Sequence, residues 1–140
     1  MSKEVGRDGY RLAHTMIRVR DLETSFNFYC KTLGMKILRK TDYPDGRFTN
    51  AFIGYGLETE SPCLELTHNW GDENDDNVSY HSGNQEPKGF GHIGFAVPDI
   101  DSACERFEEL GGVVGALVGV QRERARAARG AAARALRGGA

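Results

Sequence analysis

The feature that most constrains the fold of this 140-residue chain is an internal repeat at a constant offset of 78 residues. The segment from His14 to Leu22 recurs from His92 to Ile100, with His, Val, Asp and an aliphatic residue in the same places. Each segment leads into an amphipathic stretch that ends at Leu-Gly. Such self-similarity is typical of a chain built from copies of one supersecondary unit.

The first copy predicts a strand, a helix and three further strands. Residues 15–19 alternate like a strand, and Asp21 is placed to cap a helix that Gly34 closes. The predicted inner face of this helix is Leu22, Phe26, Tyr29 and Leu33. Strands are predicted over 35–40, 48–55 and 62–67, with a Pro-Asp-Gly turn between the first two. We therefore expect an α+β fold of tandem βαβββ modules.

The second copy supplies only its beginning. A strand over 90–97 precedes a helix capped by Asp99, with the inner face Ile100, Cys104, Phe107 and Leu110 and with Gly111-Gly112 as its end. We expect a first module over 10–70, a surface linker over 71–89 and the start of a second, incomplete module over 90–114. In residues 115–140, Ala, Arg and Gly fill 20 of 26 positions, a composition that predicts a disordered basic tail. The alternatives are an arm that binds nucleic acid or a membrane surface, and an out-of-frame reading of GC-rich DNA.

Charge and composition exclude several classes of partner. Residues 1–114 carry 12 Lys and Arg against 19 Asp and Glu, so the body offers no basic surface for nucleic acid. No apolar run is long enough to cross a membrane, and no cleavable signal is recognisable. Three cysteines without metal-ligand spacing indicate reduced thiols in a cytoplasmic protein.

Strand periodicity places three potential metal ligands on comparable faces. His14 shares a face with Met16 and Arg18, and Glu65 shares one with Cys63, Thr67 and Asn69. His92, at the repeat position equivalent to His14, shares a face with Gly94 and Ala96. Two imidazoles and a carboxylate suit a divalent cation. Glu65 follows His14 by 51 residues, so its counterpart after His92 is expected near position 143, beyond the sequence given.

These residues lie in segments that resemble glyoxalase I, of the vicinal-oxygen-chelate superfamily. The resemblance covers about residues 10–114 and is carried by the runs HTMIRVRD (14–21), FY (28–29), LGM (33–35), LELTHNWG (64–71), YHSGN (80–84), PKGFGHIG (87–94) and ACERFEELG (103–111). It implies a metal site between βαβββ modules, in most members at a dimer interface. A homodimer is therefore expected.

The resemblance implies a role for each matching residue. His14, Glu65 and His92 match metal ligands, with Glu65 also the catalytic carboxylate and His92 next to the substrate. Arg18, Asn69 and Lys88 match positions that bind glutathione, and Tyr43, Phe48 and Phe52 match the apolar wall near its thioether. The implied reaction is isomerisation of the methylglyoxal–glutathione hemithioacetal to S-lactoylglutathione through a metal-stabilised enediolate.

Two features qualify this prediction. In the family a second glutamate supplies the fourth ligand and a main base, and no such segment occurs in this sequence, which predicts impaired turnover and a truncated or aberrant C-terminus. Histidine at position 14 resembles members activated by nickel or cobalt, whereas the long 71–89 segment resembles zinc-activated members and favours zinc. The alternatives are an Fe(II) extradiol dioxygenase and a non-catalytic binding module of the same fold.

Overall fold

The computed structural model describes residues 9–81 and 83–110, which fall into two compact units divided between Gly83 and Asn84. The division lies inside the predicted linker 71–89. The closing glycines 111–112 and the predicted tail 115–140 lie outside the described residues. Within the described part of the chain, no helix is long and apolar enough to span a membrane.

The first unit contains the predicted βαβββ elements in order. Strand β1 is His14–Arg18, helix α1 is Leu22–Phe26 and continues as a π-helical turn over Asn27–Thr32, β2 is Lys36–Tyr43, β3 is Phe48–Gly54 and β4 is Cys63–Asn69. A short 3-10 helix, Asp72–Asn74, follows. The α+β prediction is confirmed, with strand ends displaced by at most three residues.

The strands form one mixed sheet in the order β1-β4-β3-β2. β1 pairs with β4 in parallel, and β4–β3 and β3–β2 are antiparallel. β2 therefore runs parallel to β1, and the connection through α1 is a crossover that must pass over one face of the sheet. β2 extends three residues further than predicted because its pairing with β3 continues down to the Tyr43–Phe48 rung beside the turn.

The two faces of this sheet differ in burial. Ala51, Ile53 and Leu66 are completely buried and lie on one face together with Leu64. We take this as the face that the crossover covers, since the predicted inner side chains of α1 are all partly buried. The opposite face, called the open face below, is exposed at its β1 edge, where His14, Met16 and Arg18 are exposed.

The start of α1 shows why the chain turns where it does. Asp21 adopts an extended backbone, and its Oδ1 accepts a hydrogen bond of 2.6 Å from the Thr24 amide. This capping bond satisfies one of the amides that a helix leaves without an internal partner. Hydrogen bonding from Thr24, first by its side chain and then by this amide, lowers the pKa of Asp21 below its usual value.

The second unit contains helix α2, Ile100–Glu109, which begins as predicted. Asp99 Oδ1 accepts from the Ser102 amide at 2.9 Å, the same cap as in the first copy. Cys104 is fully buried, as its place on the predicted inner face requires. Leu110 is 40% exposed and terminates the helix, so its assignment to the inner face was wrong.

The strand predicted over 90–97 does not form among the described residues. Its burial still alternates: His92, Gly94 and Ala96 are exposed, whereas Ile93, Phe95 and Val97 are partly buried. In the first unit β1 is a strand because β4 lies alongside and completes its hydrogen bonds. No paired strand accompanies 90–97 in the part of the second unit that the structure describes, so alternation sets the faces without producing a ladder.

Candidate metal and substrate site

The open face collects every candidate residue that the sequence placed in the first module. Strand register puts them on one side of the sheet: His14 and Arg18 on β1, Glu65 and Asn69 on β4, Phe48 and Phe52 on β3, and Tyr43 on β2. The predicted parities of β1 and β4 are thereby confirmed. Lys88 and His92 belong to the second unit, where both are exposed.

His14 and Glu65 form the centre of this face. Their side chains come from neighbouring parallel strands, diagonally across the ladder, and Nε2 of His14 lies 3.2 Å from Oε2 of Glu65. The Glu65 side chain is only 13% exposed, whereas that of His14 is 44% exposed. A largely desolvated carboxylate beside an accessible imidazole is a strong site for a cation.

The spacing of this pair fits two ligands of one ion. Two atoms bound to one Zn²⁺ at about 2.0–2.2 Å with tetrahedral geometry lie roughly 3.3–3.6 Å apart, and the observed 3.2 Å is close to the lower end of that range. Among residues 9–81 and 83–110, no set of three His, Cys, Asp or Glu side chains is placed to hold a metal. The described residues thus bring together two candidate ligands, His14 and Glu65.

Glu65 has a partner that sequence reasoning missed. Asn50, on β3, donates from Nδ2 to Glu65 Oε1 at 2.5 Å, and Thr67 Oγ1 donates to Asn50 Oδ1 at 3.1 Å. His14 therefore faces one oxygen of Glu65 and Asn50 binds the other. Period-two alternation could have found Asn50, because it lies between Phe48 and Phe52 on the same face.

The aromatic residues lie in two groups. The ring of Phe52 is 6% exposed and packs edge-on against the His14 ring, with centroids 5.3 Å apart. Tyr43 stacks on Phe48 with centroids 4.7 Å apart, beside the β2–β3 turn. Phe52 thus contacts the candidate ligand directly, while Tyr43 and Phe48 form an apolar wall at the far end of the same strands.

Arg39 is a second residue that sequence reasoning missed. Its guanidinium carbon lies 4.0 Å from the centre of the Phe52 ring, and its nitrogens contact both carboxylate oxygens of Glu58 at 2.8 and 3.3 Å. The hydrogen bonds from Arg39 lower the pKa of Glu58. A β-bulge between Ile37 and Arg39 brings Arg39 to the open face, whereas simple alternation would place it with Ile37 on the opposite face.

Asn69 is engaged by the loop after β4. Its Nδ2 donates to the Tyr80 hydroxyl at 3.0 Å and to Asp72 Oδ2 at 3.4 Å, and the Tyr80 hydroxyl in turn donates to Asp72. Burial and this bond to Asp72 raise the pKa of Tyr80. Any ligand of the Asn69 amide must therefore compete with an internal acceptor.

Comparisons with known proteins now identify the family. The sequence profile of the Glyoxalase/Bleomycin resistance protein/Dioxygenase superfamily matches residues 11–134. The chain belongs to this superfamily. The resemblance to glyoxalase I is confirmed, and the mixed four-stranded sheet is the expected α+β unit of the glyoxalase fold.

Three relatives illustrate the similarity. The chain is 53% identical over 103 residues to a probable lactoylglutathione lyase of Synechocystis, covering 74% of this chain and 72% of that protein. It is 48% identical over 117 residues to the lactoylglutathione lyase of Pseudomonas aeruginosa, covering 73% and 66%. The structure of the trypanothione-dependent glyoxalase I of Leishmania major matches with a TM-score of 0.62 and 42% identity, covering 72% and 66%. The chain thus spans about two thirds of the length of the last two relatives.

Proposed function

We propose that this glyoxalase-superfamily chain isomerises the hemithioacetal of methylglyoxal and glutathione to S-lactoylglutathione. The observation that most directly supports this proposal is the His14–Glu65 pair, whose Nε2 and Oε2 atoms lie 3.2 Å apart on the open face of the sheet. The lactoylglutathione lyases that are about half identical to this chain support the choice of reaction. The alternative is a non-catalytic module that binds a ligand on the open face and does not convert it.

The proposed cofactor is one divalent cation, zinc or nickel, with cobalt as a further candidate. His14, Glu65 and His92 are the proposed ligands, of which the first two already have a fitting separation. When bound, the ion polarises the substrate carbonyl and so acidifies the adjacent C–H.

Glu65 is the proposed base. A carboxylate within reach can take the acidified proton from one carbon and return it to its neighbour. Glu65 is suited to this role because its side chain is 13% exposed, so little water competes for its oxygens. Its hydrogen bond from Asn50 fixes one oxygen and leaves the other directed toward the His14 side of the site.

The other predicted residues are proposed to hold the glutathione part of the substrate. Arg18 and Lys88 are exposed cations that can pair with its carboxylates, and Asn69 can donate to it after release from Tyr80. Tyr43, Phe48 and Phe52 present apolar surface for the thioether and methyl groups, and His92 is proposed to contact the substrate as well as the ion. We also propose a cytoplasmic homodimer, which light scattering of the purified chain tests for its oligomeric state.

The deciding experiment follows thioester formation from methylglyoxal and glutathione by the full chain, stripped of metal and reloaded with Zn²⁺, Ni²⁺ or Co²⁺. We expect metal-dependent activity that Glu65→Gln lowers by roughly 10²–10⁴-fold, since an isosteric amide cannot accept the proton. His68→Ala is the matched control, because His68 lies on the opposite face and pairs with Glu73 at 2.9 Å.

Three results would count against the lyase. Activity without added metal after stripping contradicts the proposed cofactor, and full activity of Glu65→Gln contradicts the proposed base. Absence of turnover with every metal, combined with retained binding of an S-alkyl glutathione, supports the binding module instead.

A further inference from the structure

Glu65 is held between two side chains from opposite neighbouring strands. Its direct neighbours on the open face are Met16 on β1 and Phe52 on β3. The diagonal positions carry His14 on β1 and Asn50 on β3, and both reach the carboxylate, one at each oxygen. Diagonal neighbours in a sheet lie within reach of side chains of this length.

The amide of Asn50 has only one useful orientation here. A carboxylate can only accept hydrogen bonds, so the Nδ2 group must face Glu65 and the carbonyl oxygen must face away. Thr67, which lies directly opposite Asn50 on β4, donates its hydroxyl to that carbonyl at 3.1 Å. Thr67 is 8% exposed, so this bond is shielded from water and fixes the amide.

We propose that Asn50 is a positioning residue that holds the Glu65 carboxylate so that a single oxygen, Oε2, is offered to a divalent cation together with His14. This inference rests on the metal site of the proposed function. Because Asn50 donates one hydrogen bond to Oε1, that oxygen is held toward β3, and its second lone pair leaves Glu65 able to accept a proton as the proposed base. Partners of this kind, which orient a ligand without touching the ion, typically strengthen metal binding by about 10–100-fold.

The test measures Co²⁺ binding to the full, metal-stripped chain by calorimetry and visible absorption. Asn50→Leu keeps a similar side-chain volume but removes the donor. We expect its Co²⁺ affinity to fall by about 10–100-fold. We also expect weaker visible absorption per bound ion, because a released carboxylate can bind through both oxygens and raise the coordination number. A purely structural role for Asn50 would not change that spectrum.

Two further variants keep the result decisive. Thr41→Val is the matched control, since Thr41 lies opposite Asn50 on β2, on the same face, and should leave binding and spectrum unchanged. Thr67→Val keeps the shape of its side chain but frees the Asn50 amide to rotate, so a smaller loss, roughly 3–10-fold, is expected. If circular dichroism shows that Asn50→Leu does not fold, the Co²⁺ affinity of Thr67→Val tests the positioning role instead.

Co²⁺ binding distinguishes a wrong positioning role of Asn50 from a wrong metal site. If the parent chain binds Co²⁺ but the folded Asn50 or Thr67 variants bind it equally well with the same spectrum, the positioning role is overturned and the metal site stands. If the parent chain binds neither Co²⁺, Zn²⁺ nor Ni²⁺, the metal site itself is refuted and the role of Asn50 falls with it.

Discussion

Phe52 contributes both to the stability of the sheet and to the position of the candidate ligand His14, so Phe52→Leu should affect both. The ring is 6% exposed and contacts the His14 ring edge-on at 5.3 Å. A swap between apolar side chains of similar size usually costs less than about 1.5 kcal/mol, and the lost aromatic contact adds about 0.5–1.5 kcal/mol. We expect a loss of about 2 kcal/mol in the free energy of unfolding.

Urea unfolding measures this loss, with Ile53→Val as the matched control. Ile53 is the next residue of β3, points to the covered face and is completely buried, and its truncation should cost about 0.5–1.5 kcal/mol. The control removes buried apolar volume without touching the site. It should therefore leave the affinity for metal unchanged.

The link to His14 is isolated by a double-mutant cycle with His14→Ala. We expect a coupling free energy of about 0.5–1.5 kcal/mol between the two positions, the amount assigned to the ring contact. Because about 1.4 kcal/mol corresponds to tenfold, Phe52→Leu should also weaken metal binding by roughly 2–10-fold. Zero coupling, or a metal affinity equal to that of the Ile53→Val control, would refute the idea that Phe52 orients the imidazole.

Three further predictions test other parts of the chain. Asp21→Ala removes the helix cap and should lower the free energy of unfolding, measured by urea unfolding at neutral pH, by about 1 kcal/mol. Because the folded-state pKa of Asp21 is depressed, its contribution is present above the pKa that Asp has in the unfolded chain and disappears as the pH falls through the folded value, so the variant and parent should converge in acid. Burial also raises the pKa of Tyr29 and Tyr55, so Tyr80→Phe should reduce by one the number of phenols that ionise above the usual tyrosine range in a spectrophotometric titration, and an unchanged number would contradict the raised pKa of Tyr80. Metal at about 100 times its dissociation constant should stabilise the folded chain by about 2.7 kcal/mol, seen as a raised melting temperature that His14→Ala diminishes and His68→Ala preserves.

The elements and faces of the first module were predictable because simple local rules govern them. An Asp before a helix accepts from the third amide beyond it in both copies, at Asp21 and at Asp99. Alternation then assigns His14 and Glu65 each to the less apolar face of its own strand, and this holds wherever a strand stays regular. Their distance, by contrast, depends on which strands are neighbours, and the alternation of a strand with itself does not contain that information.

Arg39 and Asn50, which the sequence analysis did not identify, depend on features that local sequence rules do not describe. Arg39 reaches the open face only because one extra residue in β2 reverses the alternation, and nothing in the local sequence marks the position of that bulge. Asn50 follows the alternation faithfully, but its importance comes from a cross-strand partner 15 residues away. A polar residue between two aromatic residues on one face of a strand is the signal that would have identified it.

A comparison of the two copies of the repeat shows which features the sequence of a copy determines and which depend on the neighbouring strands. Both carry a histidine followed by alternating burial and an Asp-capped helix. Only the first copy forms a strand among the described residues, because β4 there supplies a parallel partner for β1. The same strand also carries Glu65, so in this architecture the partner that completes the ladder is also the element that delivers the carboxylate to the histidine. The pairing of β1 with β4 therefore both completes the ladder and brings the two proposed ligands, His14 and Glu65, side by side.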